Sequence, residues 1–210
     1  MAQEAWPDAP LVSATHDVFD RTLEPALTVR SGDVVRFDCP DPGLPPVATV
    51  DDVVRVINFA RPHVITGPVA IDGAQPGDAI AVDILDLSLP LPYGHCLFAP
   101  GVGLLPEEFE RPYVHSFAFE DGYALLRDGV RVPLEPFCGI LGLAPAQPGP
   151  HSTIPPRRVG GNLDIRDLTV GSRLLLPVEV EGGLKPGESV VLEPTPLLSD
   201  EQKRKTKKPL

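Results

Sequence analysis

Five histidines carry most of the chemical scope of this sequence: His16, His63, His95, His115 and His151. None stands three or four residues from another, so no metal-binding helix or zinc knuckle is encoded locally. Any ligand set must converge through the fold. Context sorts the five. His63 lies in the turn-prone run Arg61-Pro62-His63-Val64-Ile65-Thr66-Gly67-Pro68, His16 in Thr15-His16-Asp17, and His151 in a long Pro-rich loop. His115 has apolar neighbours in an expected strand and reads as an ordinary face residue, as does His95 in Tyr93-Gly94-His95-Cys96.

Among the carboxylates, Asp72, Asp78, Asp164 and Asp167 flank glycine turns, where an aspartate most often bonds its own backbone. Asp164 stands apart because it closes Gly160-Gly161-Asn162-Leu163-Asp164. The two glycines would let the backbone approach a ligand, and Asn162 and Asp164, two apart on an extended segment, would face one side. A mixed set of imidazole and carboxylate donors suits Zn²⁺ or another divalent ion. Nucleophiles are poorly represented: there is no G-x-S-x-G elbow, and Ser152 is merely next to His151 in sequence. Cys138 sits in an apolar run and reads as a buried thiol. Gly101-Val102-Gly103 lacks the third glycine, the preceding strand and the lysine that phosphate-binding loops require.

The elements that must position these residues are expected to be strands. With 27 prolines and 19 glycines in 210 residues, a long helical bundle is excluded. A recurring phrase, a small turn ending in Gly plus a polar residue and then an apolar run, occurs four times. The copies begin at Ser31-Gly32-Asp33, Pro76-Gly77-Asp78, Val170-Gly171-Ser172 and Pro186-Gly187-Glu188, and each predicts a turn feeding a strand. Further strands are expected at 26–30, and at 113–119, 123–127, 130–134 and 137–143, the last four as a meander of hairpins. Short helices are expected at Pro106–Glu110, Val50–Asn58 and Ser199–Lys205. The fold class is thus mainly β, an antiparallel sandwich or barrel-like architecture with few short helices. The segment 145–159 (PAQPGPHSTIPPRRV), running into the Gly-Gly-Asn turn, is a loop of functional length.

Charge narrows the partners. A net charge of −11 repels a phosphate backbone and an anionic bilayer, so neither nucleic acid nor membrane is an expected partner. Lys203, Arg204, Lys205, Lys207 and Lys208 form a basic tail over 203–210, set off from a domain spanning 1–202. Three scattered cysteines without a CxxC pair, and no secretory or membrane-spanning run, predict a cytoplasmic protein.

Three blocks resemble the acetamidase/formamidase family of amide hydrolases: HDVFDRTLEPALTVRSGDVVRFDC (16–39), RPHVITGPVAIDGAQPGDAIAVDILDL (61–87) and HSTIPPRRVGGNLDIRDLTVGSRLLLPVEVEGGL (151–184). The resemblance implies a β-rich, homo-oligomeric, cytoplasmic enzyme that hydrolyses short linear amides to a carboxylate and ammonia, with a divalent metal such as Zn²⁺. By matching blocks it implies His63, His151 and Asp164 as the catalytic and metal-binding residues, with Asn162, Gly160 and Gly161 orienting substrate. The resemblance departs after Leu184. The Gly-Asp-rich segment of the family, of the form G-D-x-H-x-x-Q-G-D-G-E, does not follow, and the chain reads KPGESVVLEPTPLLSDEQKRKTKKPL instead. An inactive relative that retains a small-amide or metal pocket is therefore the alternative expectation.

Overall fold

Prolines and glycines cut the chain into short strands, as their fixed or permissive backbone dihedrals require. The computed structural model describes residues 6–40, 49–52, 63–101 and 104–180, and the backbone of 193–196. In chain order the strands are β1 (Leu11–Val12), β2 (Thr15–His16), β3 (Val18–Phe19), β4 (Leu27–Val29), β5 (Arg36–Phe37), β6 (Ile65–Thr66), β7 (Val69–Ile71) and β8 (Asp78–Asp83). They continue as β9 (Tyr93–Phe98), β10 (Tyr113–Glu120), β11 (Tyr123–Arg127), β12 (Val130–Pro133), β13 (Ile140–Gly142), β14 (His151–Ser152), β15 (Gly160–Asn162), β16 (Arg173–Pro177) and β17 (Glu193–Pro196). Most pairs are antiparallel; β1 with β5 and β4 with β7 run parallel.

The turn-then-strand phrase is realised where it is described. Gly32, Gly77 and Gly171 take φ of +90°, +97° and +86°, and β5, β8 and β16 follow them. The fourth copy, at 186–188, and the helix expected at 199–205 lie outside the described residues, as does the basic tail.

Strand β8 is the spine of the core. Its sequence Asp-Ala-Ile-Ala-Val-Asp alternates large and small apolar residues, and all four from Ala79 to Val82 are buried. Ile80 and Val82 join a cluster with Val29, Val69, Ile71, Leu143, Val159 and Leu176, while the alanines on the opposite face permit close approach there. Strand β16 pairs along β8 on one side, from Arg173 opposite Asp83 to Pro177 opposite Ala79, and β17 pairs on the other. The ladder ends in an ion pair in which Arg173 donates to both Asp83 oxygens, at 2.5 and 2.6 Å.

Strands β9 to β12 form a separate four-stranded meander in the order β12-β11-β10-β9. Its composition differs from the expected one at both ends. Tyr93–Phe98 is a full strand, because Gly94 lets the Phe117 and Phe119 rings lie where a Cβ would stand, 2.9 Å from each. Ile140–Gly142, expected as the last meander strand, instead pairs with Gly160–Asn162.

Helix is scarce among the described residues. The expected helix at Pro106–Glu110 is a turn, closed by Glu108 N–H donating to the Leu105 carbonyl, because five residues between Pro-rich stretches cannot repay helix nucleation. A helix does begin at residue 50, capped reciprocally by Thr49 and Asp52, each donating its backbone N–H to the other's side chain.

Candidate functional site

One short stretch, Thr15 to Phe19, brings the histidine-bearing segments together. On β2, Thr15 lies opposite Thr66 and His16 opposite Ile65. On β3, Val18 lies opposite Ser152 and Phe19 opposite His151. Only Asp17 separates the two strands. The segments of His63 and His151 therefore border the same stretch of chain, and the Thr153 hydroxyl ties them by donating to the His63 carbonyl at 2.9 Å. Thr153 is fully buried, at 0% exposure, so this bond is shielded from water. Gly67 N–H, donating to the Ala14 carbonyl at 2.9 Å, continues the pairing.

The side chains at this junction differ in setting. His63 is exposed and His151 half-buried. The His151 ring is oriented by Nε2, which donates to the Gln147 carbonyl at 2.9 Å. A carbonyl only accepts, so Nε2 holds a proton and the neutral ring keeps its lone pair at Nδ1. Nearby, Asp20 accepts from the Thr22 N–H and hydroxyl at 2.9 and 2.8 Å. Those two bonds hold its carboxyl below the usual range, helped by the charges of His151 and Arg21.

His16 is half-buried, and its Nδ1 is buried without a hydrogen-bond partner among the described residues. Burial pushes its pKa below the ordinary histidine value, against the weaker opposing pull of the Gly67 backbone and the Asp17 charge. Burial also pushes the Cys138 thiol up, away from the reactive thiolate.

The Gly-Gly-Asn-Leu-Asp segment is built on β13. Ile140 faces Asn162, Leu141 faces Gly161, and Gly142 faces Gly160. The close backbone approach for which the two glycines were singled out is made by the chain itself. A Cβ on Gly160 would lie 2.3 Å from the Leu141 carbonyl oxygen, and one on Gly161 would lie 3.1 Å from the Pro155 oxygen. The strand ends at Asn162. Leu163 and Asp164 both donate their N–H to the Gly139 carbonyl, at 3.0 and 3.1 Å, and Asp164 turns into the left-handed region at φ +47°. The two-residue alternation therefore does not carry through to Asp164, whose exposed carboxylate leans over Gly139.

The segments carrying His16, His63 and His151 meet at the junction, and residues 155–157, just beyond it, lie against Gly161. No described contact joins Asp164 to either His63 or His151. Among the described residues, no three of His, Cys, Asp and Glu are grouped so as to hold a metal ion. Thr153 was not singled out by any motif, and His16 was set beside His63 and His151 by its context without being given a role. Thr153 was signalled only by its place in the 151–184 block.

A chain that is mainly antiparallel β, with its histidine segments meeting across one short stretch, falls in the structural class of the solved acetamidases. The acetamidase from Bacillus halodurans superposes with a TM-score of 0.75 at 32% identity, over 84% of this chain and 60% of that one. The sequence profile of the acetamidase/formamidase family matches residues 8–152 and 148–187, and the chain belongs to that family. It is 27% identical to an acetamidase of Mycolicibacterium smegmatis, over 82% of this chain and 58% of the relative. It is 28% identical to a formamidase of Methylophilus methylotrophus, over 82% of this chain and 56% of the relative. It thus spans a little over half the length of these curated relatives. No helix among the described residues is long and apolar enough to cross a membrane.

Proposed function

We propose that this protein hydrolyses short linear amides of the formamide and acetamide type to a carboxylate and ammonia. The observation that carries the reading is the family match over 8–187, which includes every segment meeting at Thr15–Phe19. In this reading, water adds to the amide carbon, the C–N bond breaks, and the nitrogen leaves as ammonia after gaining a proton. His151 is the proton acceptor. Its Nε2–H is committed to Gln147, and its Nδ1 is the basic nitrogen. His63, on the adjoining segment, contacts the substrate. Asn162 orients it, with Gly160 and Gly161 fixing the Asn162 backbone against β13, and the exposed Asp164 carboxylate takes up the proton released by the His151 imidazolium, through solvent, and passes it to the leaving nitrogen. The homo-oligomer and the cytoplasmic setting implied by the resemblance belong to the same proposal. A divalent ion, Zn²⁺ in the first instance, would supply Lewis acidity if bound, and its requirement is decided by assay.

The experiment is ammonia release from formamide and acetamide by the purified protein, with and without added Zn²⁺ or chelator, beside His63→Ala, His151→Ala and Asp164→Asn. Release that each substitution lowers at least a hundredfold supports the assignment. Loss of activity on chelation, restored by Zn²⁺, adds the metal. A folded protein that binds acetamide without releasing ammonia is the second reading, a binding relative.

A further inference from the structure

The loop between the two halves of the candidate site carries a cation that the protein leaves without a counter-charge. Residues 136–163 contain no Asp or Glu, in a chain of net charge −11, and their fixed cations are Arg157 and Arg158. Arg158 is met by Glu179 at 3.4 Å, and Arg166, just past the loop, by Glu135 at 3.4 Å. Arg157 is different. It is half-buried, no carboxylate pairs with it among the described residues, and its side chain makes one hydrogen bond there, Nη1 donating to the Pro155 carbonyl at 3.0 Å. The backbone beneath it is fixed, because Arg157 and Gly160 exchange N–H···O bonds at 2.8 and 3.1 Å. The Pro155 oxygen that holds the guanidinium lies 3.1 Å from where a Gly161 Cβ would stand, one residue before Asn162. Arg157 therefore stands between the junction at 151–153 and the strand that ends at Asn162. Its fork is tethered through one nitrogen, and the remaining N–H groups have no protein partner among the described residues.

We propose that the Arg157 guanidinium is the oxygen contact of the site: it donates to the carbonyl oxygen of the bound amide and holds the carboxylate product more tightly. This rests on the amide reading given above and adds a residue to it. A planar guanidinium fork matches the two oxygens of a carboxylate and binds them through charge-assisted hydrogen bonds, whereas an amide offers it one neutral acceptor oxygen. A half-buried cation without a counter-ion gains by taking up an anion. The protein as a whole repels formate and acetate, so a local cation is what would draw them in. The fork therefore favours product over substrate, and acetate competes with acetamide for it.

The test is a saturation-transfer NMR titration of acetate against the full chain at constant ionic strength, with and without competing acetamide, beside ammonia release from acetamide. The expected result is saturable acetate binding that acetamide displaces. Arg157→Gln, which keeps the backbone bonds to Gly160 and removes the charge, should weaken acetate binding about 10-fold or more, the worth of charge-assisted hydrogen bonds. Arg157→Lys, a cation without the fork, should restore part of it. Acetate binding unchanged in a folded Arg157→Gln protein, while the natural chain still releases ammonia, overturns the contact and leaves the amidase reading intact. Acetate binding that Arg157→Gln abolishes, in a natural chain that releases no ammonia, supports the contact and rejects turnover. Acetate that does not bind the natural chain, or that acetamide fails to displace, overturns the contact.

Discussion

Gly142 and Gly160 stand directly opposite each other in the β13–β15 ladder, so close that a Cβ on Gly142 would come within 2.6 Å of the Gly161 nitrogen. This contact fixes the distance between two strands that lie far apart in sequence. It also sets where Asn162 and Asp164 emerge.

Gly160→Ala tests it. The added Cβ meets backbone, the Leu141 oxygen at 2.3 Å and Gly142 Cα at 2.8 Å, and the residue holds φ +93°. Backbone cannot rotate away as a side chain would, so overpacking and left-handed strain combine to an expected loss of about 3–5 kcal/mol. The urea midpoint reads it. A shift under about 1 kcal/mol would mean that the strands are not in contact here.

Thr153→Val removes the hydroxyl that ties the two histidine segments while keeping the side-chain volume. The His63 carbonyl loses its donor in a water-poor setting, at an expected cost of about 1–3 kcal/mol. Because the tie spans 90 residues of sequence, faster backbone exchange at 63–67 is expected as well, measured by hydrogen exchange.

The buried His16 predicts a mild acid sensitivity. Its pKa is lowered on folding, so below about pH 6.5 the unfolded chain takes up a proton that folded His16 refuses. Stability is therefore unaffected by this group above about pH 6.5 and declines as pH falls from there towards the folded value. Urea titrations at pH 7.5 and 5.5 should show the decline in the natural chain. His16→Phe should reduce it, and an unchanged slope would show that His16 titrates freely.

Arg173→Gln should cost about 0.5–1 kcal/mol, since the Asp83 pair is two-pronged but partly exposed. Asp83 is held below the usual carboxylate range by this hydrogen bonding. Its contribution is complete above about pH 4 and is lost as pH falls through the folded value. High salt should shrink the difference between the two proteins, as measured by unfolding in low salt and in 1 M NaCl.

What could be read in advance was local. The Gly-plus-polar turns before β5, β8 and β16 encode themselves, because positive φ and apolar alternation are properties of a few adjacent residues. Strand β9 escaped notice because Gly94 interrupts its pattern, and the reason for that glycine lies across the ladder in Phe117 and Phe119. The diversion of Ile140–Gly142 to β15 was equally hidden, since register between distant strands is set by packing. In the site, the His63 and His151 loops stood out through their composition. The bare Nδ1 of His16 and the turn at Asp164 exist only once neighbouring chain is in place.

The single residue between β2 and β3 makes this junction a matter of counting. Asp17 keeps His16, which faces the His63 side of the stretch, and Phe19, which faces the His151 side, at a fixed phase of the pleat. Side chains along Thr15–Phe19 can change while that phase survives. One residue inserted or deleted there would turn every later side chain to the opposite face and slide one histidine loop about 3.3 Å past the other. Length in this five-residue stretch should therefore be under tighter constraint than composition.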